Sequence, residues 1–216
     1  IKPDFAEAFN NLGSVLKELG QLDTAVKSYE KVLAIKPDFA EAHFNLAVTL
    51  QGLGQLEAAV ISYEKAVAIK PDYAEAHNNL GSILQEFNQP DKAVKCYEQA
   101  LAIKPDFAEA HNNLGIALKD LGQLGAAVNC FKKALDIKPD FADVQYSLGL
   151  INQDLGQVDD AIKQYEKAIS IKQNHAEAHH NLSYLKKFTK NDSQITLMQS
   201  LLSTNNQSHS DRTHLC

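Results

Sequence analysis

No apolar run in this 216-residue sequence approaches the ~20 residues a helix needs to cross a bilayer, so a helical membrane span is not expected. Positive charge is in deficit. The 21 Lys and Arg against 27 Asp and Glu leave a formal charge of −6, so a sequence-independent hold on nucleic-acid phosphate is not expected either. Cysteine is scarce: only Cys96, Cys130 and Cys216 occur, with no C-x-x-C pair and no Cys/His cluster. Cys96 and Cys130 sit 34 residues apart, in equivalent positions of two helices that the chain's periodicity stacks on one another. Such helices lie about 8–10 Å apart, whereas a disulfide needs Cα atoms within roughly 7 Å. Both are therefore expected to be reduced packing residues, which suits a reducing compartment and a cytoplasmic location. A Gly-rich phosphate loop, a nucleophile elbow and an H-E-x-x-H helix are all missing. No catalytic residue, cofactor or metal is assigned, and the chain is not expected to be an enzyme by itself.

What the sequence does hold is repetition. It opens with I-K-P-D-F-A-E-A and returns to that phrase, nearly unchanged, at Ile35, Ile69, Ile103 and Ile137, with a degenerate copy at Ile171. The prolines Pro3, Pro37, Pro71, Pro105 and Pro139 keep a 34-residue step, as do Ala25, Ala59, Ala93, Ala127 and Ala161. So do the aromatics Tyr29, Tyr63, Tyr97, Phe131 and Tyr165, and the leucines from Leu12 to Leu182. A period of this length marks a repeat architecture. The frame sets complete repeats at 6–39, 40–73, 74–107, 108–141 and 142–175. Residues 1–5 are then the end of an interrupted preceding repeat, 176–190 the first helix of a degenerate sixth, and 191–216 a capping helix, a polar loop and the start of a further helix.

Each repeat predicts two helices. In the first repeat these run from about Ala6 to Leu19 and from about Asp23 to Ile35, the second carrying Ala25, Tyr29, Val32 and Leu33 as an apolar stripe at helical spacing. Gly20, Gly54, Gly122 and Gly156 stand where a positive φ would end the first helix, and Asn88 takes that slot in the third repeat. The small residues Gly13, Ala47, Gly81, Gly115 and Gly149 mark the contact between the two helices, where the aromatic of the second helix comes close. Proline closes each second helix. The following aspartate, with Glu three residues on, predicts a cap resembling the capping box at Asp38/Glu41, Asp72/Glu75, Asp106/Glu109 and Asp140/Asp143, with Asn174 as cap at the sixth junction.

Phe9-x-x-Leu12-Gly13-x-x-Leu16, then Ala25-x-x-x-Tyr29, then Pro37, resembles the tetratricopeptide repeat, and the match recurs in register from residue 1 to about 188. One departure is the usual tryptophan slot, held here by Phe9, His43, His77, His111, Gln145 and His179. The resemblance implies an all-α fold: an α-solenoid of stacked antiparallel helix pairs in a right-handed superhelix, with first helices lining a concave face. The histidine series inherits the repeat period, so neighbours are a layer apart, too far to share a metal bound at ~2 Å.

The residues with most to offer a ligand are asparagines. Asn11, Asn45, Asn79, Asn113 and Asn181 recur in one slot, interrupted by Ser147, and are the candidate peptide-binding residues. An amide that both donates and accepts can hold an extended backbone whatever its side chains. The same residues could instead tie neighbouring helices together; both readings stand at this point. Asn10, Asn78 and Asn112 would widen a polar groove, and Phe44 and Tyr146 would interrupt it. The slot four residues before each asparagine, and before Ser147, is acidic: Glu7, Glu41, Glu75, Glu109, Asp143 and Glu177. It would repel a carboxylate tail of the kind chaperone-binding tetratricopeptide domains clamp, and favours a neutral to basic polypeptide.

The expected function is therefore a protein–protein interaction scaffold for extended polypeptide, without nucleic-acid or membrane partners, and with possible self-association through interrupted repeat ends. The asparagine row also resembles that of nucleocytoplasmic O-linked N-acetylglucosamine transferases. The tail, with T-L-M-Q-S-L-L and D-R-T-H-L, resembles the junction of bacterial tetratricopeptide proteins that continue into a sulfotransferase domain. These resemblances imply an alternative, the substrate-presenting region of a larger transferase.

Overall fold

The computed structural model describes residues 4–186 and 193–203. Among these residues there are twelve α-helices and no strand, so the fold is all-α, as expected. The chain forms two compact units, Ile1–Ala117 and Leu118–Cys216. In the first, α1 (Asp4–Glu18) pairs with α2 (Leu22–Ile35), α3 (Ala40–Gly52) with α4 (Leu56–Ile69), and α5 (Ala74–Glu86) with α6 (Pro90–Ile103). α7 (Ala108–Asp120) follows. In the second unit α8 (Leu124–Ile137) precedes the pair of α9 (Ala142–Asp154) and α10 (Val158–Ile171), then α11 (Ala176–Leu185) and α12 (Ser193–Ser203). A second helix also packs on the next first helix: α2 on α3, α4 on α5, α8 on α9 and α10 on α11.

Periodicity explains which faces meet. In α2 the buried residues are Ala25, Ser28, Tyr29 and Val32, an i, i+3, i+4, i+7 stripe. One cluster then holds Ala25, Tyr29, Leu46, Ala47, Leu50, Ala59 and Tyr63, so the core runs on from one pair into the next. The turns within pairs behave as expected. Gly20, Gly54, Gly122 and Gly156 have φ between 72° and 74°, and Asn88 has φ 54°. At the first of these the Gly20 amide donates to Lys17 O (3.0 Å) and the Gln21 amide to Leu16 O (2.9 Å), which satisfies carbonyls the helix end would leave open.

The junctions between pairs differ from the expected cap. The residue flanking the helix is Phe39, Tyr73 and Phe141 for α3, α5 and α9, and no side chain caps these helices. Asp38, Asp72 and Asp140 instead lie in a tight turn. Its closing bond runs from the Phe39 amide to Lys36 O (3.3 Å), and from the Tyr73 amide to Lys70 O (3.2 Å). The turn brings the lysine over the aromatic ring, with Nζ 4.6–4.8 Å from the centroid for Lys36/Phe39, Lys70/Tyr73, Lys104/Phe107 and Lys138/Phe141. At the sixth junction the cap is His175 rather than Asn174, its Nδ1 accepting from the Ala178 amide at 3.3 Å.

At the end of the second unit Leu197 of α12 packs on the cluster of Ala161, Tyr165, Ala178 and Leu182. Ile195, Met198 and Leu202 of the same helix are half-buried as well. The polar loop after Ser203, the D-R-T-H-L segment and Cys216 fall outside the described residues.

Candidate functional site

The asparagine row lies on first helices, and the structure joins most of it to neighbouring helices. Asn45, Asn79, Asn113 and Asn181 are half-buried on α3, α5, α7 and α11, and Asn11 is exposed on α1. Asn45 Nδ2 donates to Asn10 Oδ1 at 3.3 Å, and Asn113 Nδ2 to Asn78 Oδ1 at 3.0 Å. Each bond runs back to the preceding first helix. The acceptors Asn10 and Asn78 are themselves buried, so they need a partner. Where the acceptor slot changes, the donor adjusts. Phe44 stands there in α3, and Asn79 Nδ2 turns to the Tyr63 hydroxyl (3.2 Å). Tyr146 stands there in α9, and Asn181 Nδ2 donates to its hydroxyl (3.2 Å). Ser147, which replaces the asparagine in α9, donates within its own helix to Asp143 O (2.9 Å).

These bonds link into a run with one direction. Asn112 Nδ2 donates to Asn113 Oδ1 (3.3 Å), Asn113 to Asn78, Asn78 Nδ2 to Asn79 Oδ1 (3.2 Å), Asn79 to the Tyr63 hydroxyl, and that hydroxyl to Gln51 Oε1 (3.2 Å). Burial pushes the Tyr63 phenol up to about 12, so it remains a neutral donor. The tyrosine-to-glutamine link recurs at Tyr97 to Gln85 (3.1 Å) and Tyr165 to Gln153 (2.7 Å). These glutamines lie outside the asparagine slot, but the sequence carries a signal for them. Gln51, Gln85 and Gln153 each precede a tyrosine by 12 residues, whereas Lys119 stands in that slot before Phe131, which has no hydroxyl, and Lys17 before Tyr29, whose hydroxyl meets Ser14 instead (3.3 Å).

Phe44 and Tyr146 form aromatic contacts. Phe44 lies 5.8 Å from Tyr63 and 4.8 Å from Tyr73, and Tyr146 lies 5.7 Å from Tyr165 and 4.9 Å from His175. His175 Nε2 stands 3.4 Å from Asp143 Oδ1 and holds that carboxyl below its usual range. Of the other acidic residues in the row, Glu41 accepts from Asn10 Nδ2 at 3.5 Å and Glu75 pairs with Lys104 at 3.4 Å. Glu177 lies 3.2 Å from Nδ1 of His175, at the start of its own helix.

The histidines in the tryptophan slot serve the junctions. Nε2–H donates to the carbonyl six residues back: His43 to Pro37 (2.9 Å), His77 to Pro71 (3.0 Å), His111 to Pro105 (2.9 Å) and His179 to Gln173 (2.8 Å). His179 is fully buried, and burial holds its pKa below the usual value. Its neutral form is therefore the stable one. The stability this provides is complete above the unfolded pKa of about 6.5 and is lost as pH falls through the lower folded value. The melting temperature should drop as pH falls below about 6.5, and drop less in His179→Phe. Phenylalanine suits the slot, since Phe9 occupies it in α1. Equal drops in the two proteins would refute this.

Profiles described as TPR repeat match residues 13–54, 117–156 and 154–187, and profiles described as tetratricopeptide repeat match 38–106 and 96–129. The chain belongs to the tetratricopeptide repeat family. Solved structures resemble this tetratricopeptide repeat chain along most of its length. A crystal structure of MamA is 29% identical, covering 76% of this chain and 96% of its own, with a TM-score of 0.69. YrrB, described as a TPR protein with an unusual peptide-binding site, is 24% identical over 80% of this chain and 89% of its own (TM-score 0.69). PilW, described as a type IV pilus biogenesis factor, is 24% identical over 98% of both chains (TM-score 0.81). No curated protein matches the sequence.

Proposed function

We infer that this chain is a protein-interaction scaffold whose first helices hold an extended polypeptide, neutral to basic in charge. The observation that carries this reading is the half-exposed asparagine row on α3, α5, α7 and α11. Each amide has two N–H donors and two acceptor lone pairs, so a bond to the neighbouring helix leaves capacity for a ligand backbone. Charge supports the second half of the statement. The six first helices α1, α3, α5, α7, α9 and α11 carry 11 acidic residues against 2 lysines, while the five second helices α2, α4, α6, α8 and α10 carry 10 against 9. The net negative charge of the helices therefore resides on the first ones, which raises the local concentration of a cationic segment and rejects an anionic one. The peptide-binding site named for YrrB agrees with such a use of the fold. Half-buried thiols at Cys96 and Cys130 suit a reducing compartment such as the cytoplasm.

The test is the triple variant Asn45→Ala, Asn79→Ala, Asn113→Ala, probed with lysine-containing and glutamate-containing extended peptides by fluorescence anisotropy. Binding of the lysine peptides should weaken about tenfold or more and fall with added salt. The variant should also be less stable, because the buried Asn10 and Asn78 acceptors lose their donors at about 1–3 kcal/mol each. Affinity is therefore compared per folded molecule. Unchanged affinity on that basis would make the asparagines purely structural.

A further inference from the structure

Second helices present a polar side chain at one recurring slot, and α4 breaks the pattern. Lys27 in α2, Lys95 in α6, Asn129 in α8 and Lys163 in α10 stand where α4 has Ile61. Ile61 is 55% exposed. The other exposed apolar residues of second helices, Ile69, Ile137, Val158 and Ile171, lie at helix ends. Among the described residues, then, Ile61 is the one large apolar side chain exposed partway along a second helix. A single exposed isoleucine is ordinary on a protein surface. This one borders a recess.

The recess has a volume of about 310 Å³ and lies between α2 and α4, with α3 as its floor. Its apolar lining is Val26, Leu46, Leu50, Ala58 and Ile61, and its one charged residue is Glu30. That volume is at the lower end for ligand sites, which suits inserted side chains rather than a whole cofactor. Charge selects the occupant. Glu30 is exposed and makes no ion pair or side-chain hydrogen bond among the described residues. Spacings of three or four residues from Val26, Glu30 and Ile61 bring Asp23, Glu57 and Glu64 to the same side, against Lys27 and Lys65. Lys31 is turned away, its Nζ over the Phe9 ring at 5.4 Å. The carboxylates therefore outnumber the ammonium groups around this recess, and a cation beside it is favoured.

We propose that the recess between α2 and α4 is a second docking site, for an amphipathic helix of a partner protein that inserts an aliphatic side chain beside Ile61 and sets a lysine or arginine one turn away against Glu30. The site shares no residue with the asparagine row. A second copy of the chain is the poorer occupant, because a two-fold contact would bring one acidic recess against another.

The test uses three alanine-based peptides of about 16 residues, long enough to form a helix. One carries leucine and lysine four positions apart, one leucine and glutamate, and one serine and lysine. Each is titrated into the full chain, with binding followed at the methyl NMR signals of Leu46, Leu50 and Ile61, which report this recess. The leucine–lysine peptide should shift these signals and bind about fivefold or more tighter than the other two. Lysine already occupies both wall slots elsewhere, as Lys95 and Lys132, so Ile61→Lys and Glu30→Lys are compatible with the fold. Each should weaken that peptide about fivefold or more, whereas Asn45→Ala, Asn79→Ala and Asn113→Ala together should change it less than about twofold. Signals that no peptide moves, equal affinity for the leucine–lysine and leucine–glutamate peptides, or unchanged affinity in Ile61→Lys would overturn the proposal. So would a dimer of the chain at low micromolar concentration that Ile61→Lys dissociates, which would give the recess to a second copy.

Discussion

Tyr63→Ala should destabilise the first unit by about 3–5 kcal/mol, read as a fall in the urea midpoint. The ring is fully buried, shares a cluster with Ala47, Leu50 and Ala59, and meets the edge of Phe44. Truncation leaves a void there and also removes the hydroxyl that receives Asn79 and donates to Gln51. Tyr63→Phe separates the two contributions. It keeps the packing and should cost about 1 kcal/mol, because Gln51 is half-exposed and can turn to water. If Tyr63→Phe proved as damaging as Tyr63→Ala, the hydrogen-bonded run through the asparagines, and not the ring's volume, would be what holds α3, α4 and α5 together.

Gly81→Leu should cost at least about 1–3 kcal/mol by overpacking. A Cβ built at Gly81 would lie 2.7 Å from Tyr97 Cε1, and at Gly13 and Gly149 it would lie 2.6 and 2.5 Å from the rings of Tyr29 and Tyr165. These rings are buried, and Tyr97 is further held by its bond to Gln85, so a long side chain must separate α5 from α6. Gly81→Ala is the informative control. Alanine gains about 1 kcal/mol in helix propensity over glycine, and Ala47 already occupies this slot in α3. Gly81→Ala carries the clashing Cβ as well, so it should also destabilise, but less than Gly81→Leu because its helix propensity offsets part of the overlap, and faster amide exchange confined to α5 and α6 in Gly81→Leu would localise the damage.

Much of this architecture was legible before any coordinates, and for a physical reason. Tyr29, Tyr63, Tyr97 and Tyr165 meet small residues at matching positions, so the same packing demand is written several times in register. The exception at Asn88 was readable too, because few residues other than glycine tolerate its φ of 54°. The junctions were less transparent. Asp38 followed by Glu41 has the spacing of a cap, but that spacing does not distinguish a cap from a tight turn closed by the Phe39 amide, which starts the helix one residue later. The asparagine row was visible while its partners were not. Asn45 reaches Asn10 and Asn113 reaches Asn78, each 35 residues away, one more than the period. That offset arises from how one helix sits against the previous one, and a search for residues in equivalent slots passes over it.

The short reach of these contacts bears on how the chain would fold as it is made. Within each unit the packing runs between helices that are neighbours or next neighbours in sequence, and the side-chain bonds of Asn45, Asn113 and Asn181 close loops of about one period. Loop-closure entropy rises with loop length, and chains dominated by such short-range contacts fold fast. During synthesis a helix pair would wait for only one more repeat to clear the ribosome before every partner it needs is present. Its apolar surface would then be exposed for the time taken to add some three dozen residues, about 2–7 seconds at 5–20 residues per second.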